Sequence, residues 1–238
     1  MKIAILEAGT PPERLAGRYP GYGRMTADRL GPGHDVSVFR VNRDEWPTDP
    51  DTFDATLVTG SPAGAYDPLP WIGTLIASLR DLDPDKPLVG ICFGHQVMAA
   101  AFGGRVEKSP KGWGIGLHTY DIHRAADWMD GEPRVAVPAI HQDQVVEAPP
   151  GSRTLAGSAF TPHGILAYSN RRAFSVQFHP EFTTDYARAL IAGHRPGDLD
   201  AAVRARALAS LDAPNDGARV GGWIRRFLRD PAEQGRGV

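Results

Sequence analysis

Pro87-Leu88-Val89-Gly90-Ile91-Cys92-Phe93-Gly94-His95-Gln96 decides the reading of the chain. Pro87–Ile91 is short and almost continuously apolar, as strands covered on both faces are. It gives way at Cys92 to a helical stretch predicted over Gly94–Phe102. Gly-x-Cys-x-Gly at such a junction is the pattern of a strand–nucleophile–helix elbow, with Cys where many hydrolases carry Ser. The glycines on either side keep the sharp turn clear of neighbouring strands and of the helix. The helix aims unpaired N–H groups and the positive end of its dipole at the sulfur, which favours a thiolate. It also offers the Phe93 N–H to a developing oxyanion. A lone cysteine is more often a small buried core residue; the glycine spacing favours the nucleophile.

Outward from the elbow, apolar runs bounded by turn residues predict strands at Lys2–Leu6, Asp35–Arg40 and Ala55–Thr59. Helices are expected between them at Tyr22–Leu30 and Pro70–Leu82, where Trp71, Leu75 and Leu79 recur four apart. This alternation predicts an α/β fold with a mainly parallel sheet and flanking crossover helices. From Gly104 to Gln177 short strand-like runs recur at Ile115–Ile122, Arg134–Pro138, Gln144–Glu147, Thr154–Ser158, Gly164–Tyr168 and Ala173–Phe178. They predict antiparallel hairpins grafted onto the parallel core. A helix at Thr184–Ala192 precedes a break at His194-Arg195-Pro196-Gly197, and helices over 199–211 and 216–229 follow, the last with Trp223, Ile224, Phe227 and Leu228 on one face. The division expected is residues 1–195 as the main domain and 196–238 as a helical extension packed on it.

Composition narrows the function. The 238 residues carry 26 Lys and Arg against 28 Asp and Glu, a net charge of −2, so no basic footprint points to nucleic acid or an anionic membrane. No apolar run approaches the roughly 18–20 residues of a membrane span, and the N-terminus lacks signal-peptide architecture. One cysteine excludes an intrachain disulfide and a multi-cysteine metal site, and a cytoplasmic, reducing compartment is expected.

A thiolate nucleophile needs a base, and the base an orienting partner. Among eight histidines, His179 stands at a strand end beside an acid, in Val176-Gln177-Phe178-His179-Pro180-Glu181. In extended geometry residues two apart point the same way, so Glu181 is expected to accept from one imidazole nitrogen while the other faces Cys92.

Gly-Ile-Cys-Phe-Gly-His-Gln followed by Phe-His-Pro-Glu resembles the class I, triad-type glutamine amidotransferases, and the likeness extends over most of residues 1–192. The resemblance implies a flavodoxin-like, mainly parallel sheet plus a smaller antiparallel sheet. It implies Cys92 as nucleophile, His179 as acid and base, Glu181 as orienting acid, Gly60 on the oxyanion loop, and Gln96 on the amino-acid end of glutamine. The residues agree with this. The turn Thr59-Gly60-Ser61-Pro62 ends a strand at the edge where α/β sites gather, and can present backbone N–H groups there. Gln96 lies one helical turn beyond Cys92, within reach of the same cleft, or else on the helix surface. His95 reads as packing or structural hydrogen bonding.

Two further stretches stand as substrate walls. His141-Gln142-Asp143 resembles a His-x-Asp segment of the GMP-synthetase-like branch; it reads equally as a loop with an Asx turn. The Gly-rich stretch Lys108–Gly116 carries Trp113, which either covers an aliphatic stem at the mouth or sits in the core of a hairpin. No cofactor and no metal are expected, since no histidine pair shows ligand spacing with a third acid that the triad leaves unexplained. No ATP-binding loop of the Gly-x-x-x-x-Gly-Lys type occurs, and the residues after 192 are too few for a synthetase domain. The chain therefore reads as a hydrolase of glutamine or a small γ-glutamyl compound, or as a glutaminase serving a synthetase partner in trans. A DJ-1/PfpI-type cysteine hydrolase lacks the late His-Pro-Glu, and a degenerate binding module would have lost triad residues.

Overall fold

In the computed structural model, residues 1–194 and 199–229 are described. Of the predicted break, Arg195–Gly197 lies outside them, as does the chain after Arg229. The strands are β1 (Lys2–Leu6), β2 (Asp35–Phe39), β3 (Ala55–Val58), β4 (Leu88–Ile91), β5 (Arg105–Lys108), β6 (Gly114–Ile122), β7 (Arg134–His141), β8 (Asp143–Glu147), β9 (Ser152–Gly157), β10 (Ile165–Tyr168) and β11 (Ala173–Val176). The helices are α1 (Tyr22–Leu30), α2 (Pro70–Asp81), α3 (Phe93–Ala101), α4 (Thr184–Ala192), α5 (Ala201–Ser210) and α6 (Gly217–Arg229).

One large mixed sheet runs β2-β1-β3-β4-β11-β10-β9-β6-β7, its first five strands parallel and the rest antiparallel. The parallel strands are apolar throughout because both faces are covered, and alternation along each strand sorts side chains between two layers. Ile3, Ile5, Leu57, Val89 and Ile91 meet Leu30 of α1 and the apolar stripe of α6 on one face. Leu6, Val58 and Leu88 meet Leu75 and Leu79 of α2 and Val97 and Met98 of α3 on the other. Helix α6 buries Val220, Trp223, Ile224, Phe227 and Leu228 in this core, each large side chain contributing about 1.5–3 kcal/mol. No helix of the described residues is long and apolar enough to cross a membrane.

The smaller antiparallel sheet is β5 paired with β8. Periodicity does not mark β5, because Arg-Val-Glu-Lys is mostly exposed and carries no apolar run. Periodicity also ends β7 at Pro138, whereas the strand continues to His141. Strand β7 is the edge of the large sheet, so a proline without an N–H is tolerated there. The Pro138 carbonyl instead accepts the His179 N–H at 2.8 Å, which fixes the chain carrying that histidine. Strand β6 begins at Gly114, one residue before the expected Ile115.

Candidate active site

Strand β4 ends and α3 begins on either side of Cys92, whose φ of 52° and ψ of −101° are rare for an L-residue. Such a conformation costs on the order of 1–3 kcal/mol and persists only where its surroundings hold it. Here the Cys92 N–H donates to Val176 O at 2.8 Å, and the Gly94 N–H to Thr59 O at 3.2 Å. The flanking glycines are required by close approach. A Cβ on Gly94 would collide with Val58 O, and one on Gly90 would lie 2.6 Å from the Gly94 backbone. The Phe93 N–H stands first in α3, where a helix has no acceptor of its own to offer.

His179 is brought to this elbow, with its Nδ1 2.7 Å from Glu181 Oε1 in a buried pair. A carboxylate only accepts, so Nδ1 carries the hydrogen and Nε2 is left for the sulfur side. Burial pulls the imidazole pKa down, but the charges and hydrogen bonds of Cys92 and Glu181 outweigh it and raise the value to about 10. His179 therefore holds its proton at neutral pH. The expected extended geometry is not what achieves the pairing. Strand β11 ends at Val176, and His179–Phe182 forms a turn in which the Phe182 N–H reaches His179 O at 3.4 Å. Pro180 favours that turn, and the turn folds Glu181 back onto the ring.

Gly60 lies against both groups: a Cβ there would stand 2.9 Å from His179 Cε1 and 3.7 Å from Cys92 Cβ. Ser61 lines the cleft, and its Oγ accepts the Ala63 N–H at 3.1 Å, shaping the loop after β3. The cleft has a volume of about 850 Å³ and is bounded by Cys92, His179, Gln96, Trp113, His141 and Asp143 among others.

Gln96 reaches the cleft as its spacing predicts, but its Nε2 donates to Asp143 O at 2.8 Å and to Gln177 Oε1 at 3.2 Å. His141 is buried, and burial pushes its pKa down to about 3, so the ring is neutral. Its Nδ1–H donates to Asp143 O at 3.1 Å, and the ring lines the cleft. Trp113 is half-buried and packs edge-on against His194, ring centroids 5.3 Å apart. His95 has the structural part expected of it, wholly buried with Nδ1 2.8 Å from Ser175 Oγ.

Three contributors are not evident from the sequence. Phe182 stacks on His179 with centroids 4.0 Å apart and planes 4° from parallel, which pins the ring. Gln177 is fully buried and directs its Nε2 at Cys92 Sγ from 3.7 Å. Tyr66 donates to Asp143 Oδ1 at 2.9 Å across the mouth. Position beside the His-Pro-Glu motif is the available signal for the first two; nothing local marks Tyr66.

The glutamine amidotransferase class-I family profile matches residues 21–192. Gamma-glutamyl peptidase 4 of Arabidopsis thaliana is 32% identical over 210 residues, covering 81% of this chain and 83% of that protein. The glutamine-hydrolyzing GMP synthase of Thermus thermophilus is 35% identical over 128 residues, 53% of this chain and 24% of that protein. Among solved structures, a glutamine amidotransferase from Thermotoga maritima superposes with a TM-score of 0.78 over 96% of this chain and 98% of that one, at 16% identity.

Proposed function

The chain belongs to the class-I glutamine amidotransferase family, and on that footing we propose that it hydrolyses the γ-amide bond of glutamine or of a small γ-glutamyl compound through Cys92, His179 and Glu181. The observation that carries this reading is the strained cysteine at a helix start sharing one cleft with a buried histidine that Glu181 holds at 2.7 Å.

The Cys92 thiolate attacks the γ-carbonyl carbon, and the carbonyl π pair moves onto oxygen. The Phe93 N–H and the backbone of the Gly60 loop face that oxyanion, the kind of preorganised donors that favour the transition state over the amide. His179 gives its proton to the amide nitrogen, the C–N bond breaks, and ammonia or an amine departs, leaving a γ-glutamyl thioester. Water then attacks the thioester, His179 takes its proton, and the C–S bond breaks to release glutamate. Glu181 orients the imidazole and stabilises its charged form throughout.

The cleft of about 850 Å³ stands high in the roughly 300–1,000 Å³ range of small-molecule sites, which supports a leaving group larger than ammonia. The likeness to an Arabidopsis gamma-glutamyl peptidase over most of both chains supports the same reading. The test is glutamate release by purified protein from glutamine and from γ-glutamyl dipeptides. Turnover by the protein alone is expected, and its absence with every such substrate would overturn the proposal. A second reading, a glutaminase delivering ammonia to a synthetase partner, is favoured by the match to the GMP synthase. It predicts a protein silent alone and active once a synthetase is added.

A further inference from the structure

Tyr66 is 51% exposed on the loop between β3 and α2, so its ring gains little from burial. Its hydroxyl nevertheless crosses the mouth of the cleft to donate to Asp143 Oδ1 at 2.9 Å. On the same side, Gly64 approaches so closely that a Cβ there would lie 3.0 Å from Asp143 Oδ2. The loop that follows Gly60 is closed on itself by Ala63 N–H to Ser61 Oγ and Gly64 N–H to Asp67 Oδ2 at 2.8 Å. Asp143 in turn is tied to the nucleophile's helix, because its carbonyl accepts Gln96 Nε2 at 2.8 Å. Gln96 also donates to Gln177, whose own Nε2 points at Cys92 Sγ. The Tyr66 bridge thus ends on the residue that Gln96 of the nucleophile's helix also holds, which joins loop and helix.

We infer that Tyr66 is a positioning residue: by bridging to Asp143 it holds the Gly60 loop in register with the Cys92 helix, so that oxyanion donors and nucleophile meet the same carbonyl. This rests on the hydrolytic reading above. The bond acts when charge develops on the carbonyl oxygen and contributes nothing to the thiolate's intrinsic reactivity.

The test begins with wild-type hydrolysis of a γ-glutamyl dipeptide; if none is seen, the functional proposal itself fails. With an active wild type, Tyr66→Phe keeps the ring and removes the hydroxyl. A hydrogen bond to a charged acceptor of this kind predicts about a tenfold fall in kcat, with KM nearly unchanged. Alkylation of Cys92 by iodoacetamide forms no oxyanion and should keep its wild-type rate. Asp143→Ala combined with Tyr66→Phe should be no slower than Asp143→Ala alone, since both remove one bridge. A Tyr66→Phe enzyme with wild-type kcat would overturn the inference, as would losses that multiply in the double variant or alkylation that falls in step with hydrolysis.

Discussion

Replacing Gly60 by Ala tests the site at its tightest point. The added Cβ would lie 2.9 Å from His179 Cε1, where carbon atoms ordinarily settle about 3.5–4.0 Å apart. Something must therefore move by roughly 0.6–1 Å. The imidazole cannot swing freely, because Glu181 holds Nδ1 at 2.7 Å and Phe182 is stacked on its face. Cys92 is spared, its Cβ standing at an ordinary 3.7 Å. A misplacement near 1 Å of a group that moves the proton costs about 100-fold in rate, whereas local overpacking costs about 1–3 kcal/mol in stability. The Gly60→Ala protein should thus fold and melt cooperatively while kcat falls about 100-fold. Steady-state glutamate release beside a thermal melt measures both. A Gly60→Ala enzyme about as fast as wild type would show that the Gly60 loop and His179 are not in the working contact described.

Other consequences follow from the same geometry. Glu181→Gln keeps the shape but loses the buried charge on His179, and turnover should fall by roughly one to three powers of ten; His179→Ala, which removes the proton carrier, should be slower still, and equal rates would call for another role for Glu181. The folded pKa of His179 is raised from 6.5 to about 10, so its contribution to stability is full below about pH 6.5 and is lost as pH rises through about 10. The stability gap between wild type and His179→Gln should accordingly shrink over that window in denaturant titrations, and a gap that stayed flat across it would mean a neutral imidazole in the folded protein. Gly73, inside α2 with open space where a Cβ would go, offers a control: Gly73→Ala should raise stability by about 0.5–1 kcal/mol and leave turnover alone.

How much of this is legible in the sequence depends on how local the cause is. The bounds of α1 and α4 match the expected ranges because their ends are local: α1 stops at Gly31, with φ 75°, and α4 starts where Thr183 accepts the Tyr186 N–H. The elbow is legible because Gly90 and Gly94 answer to contacts only a glycine permits. Strand β5 is not, since four mostly exposed residues carry no hydrophobic pattern and pair only because β8 lies opposite. The walls stay ambiguous for a related reason. Asp143 becomes a hub only when Gln96 and Tyr66, from two distant segments, converge on it beside its near neighbour His141. The spacing places Gln96 at the cleft but does not show it as a donor to the protein itself, because Gln177 and Asp143 reach it only in the folded chain.

The central claim is a covalent γ-glutamyl thioester on Cys92, and trapping it tests that claim most directly. Protein quenched in acid during steady-state turnover, then measured by intact mass and peptide mapping, should carry one γ-glutamyl group on the peptide containing Cys92, the only thiol in the chain. Cys92→Ala should carry none and turn over no substrate. A Cys92→Ala protein that still releases glutamate at the wild-type rate would contradict the account.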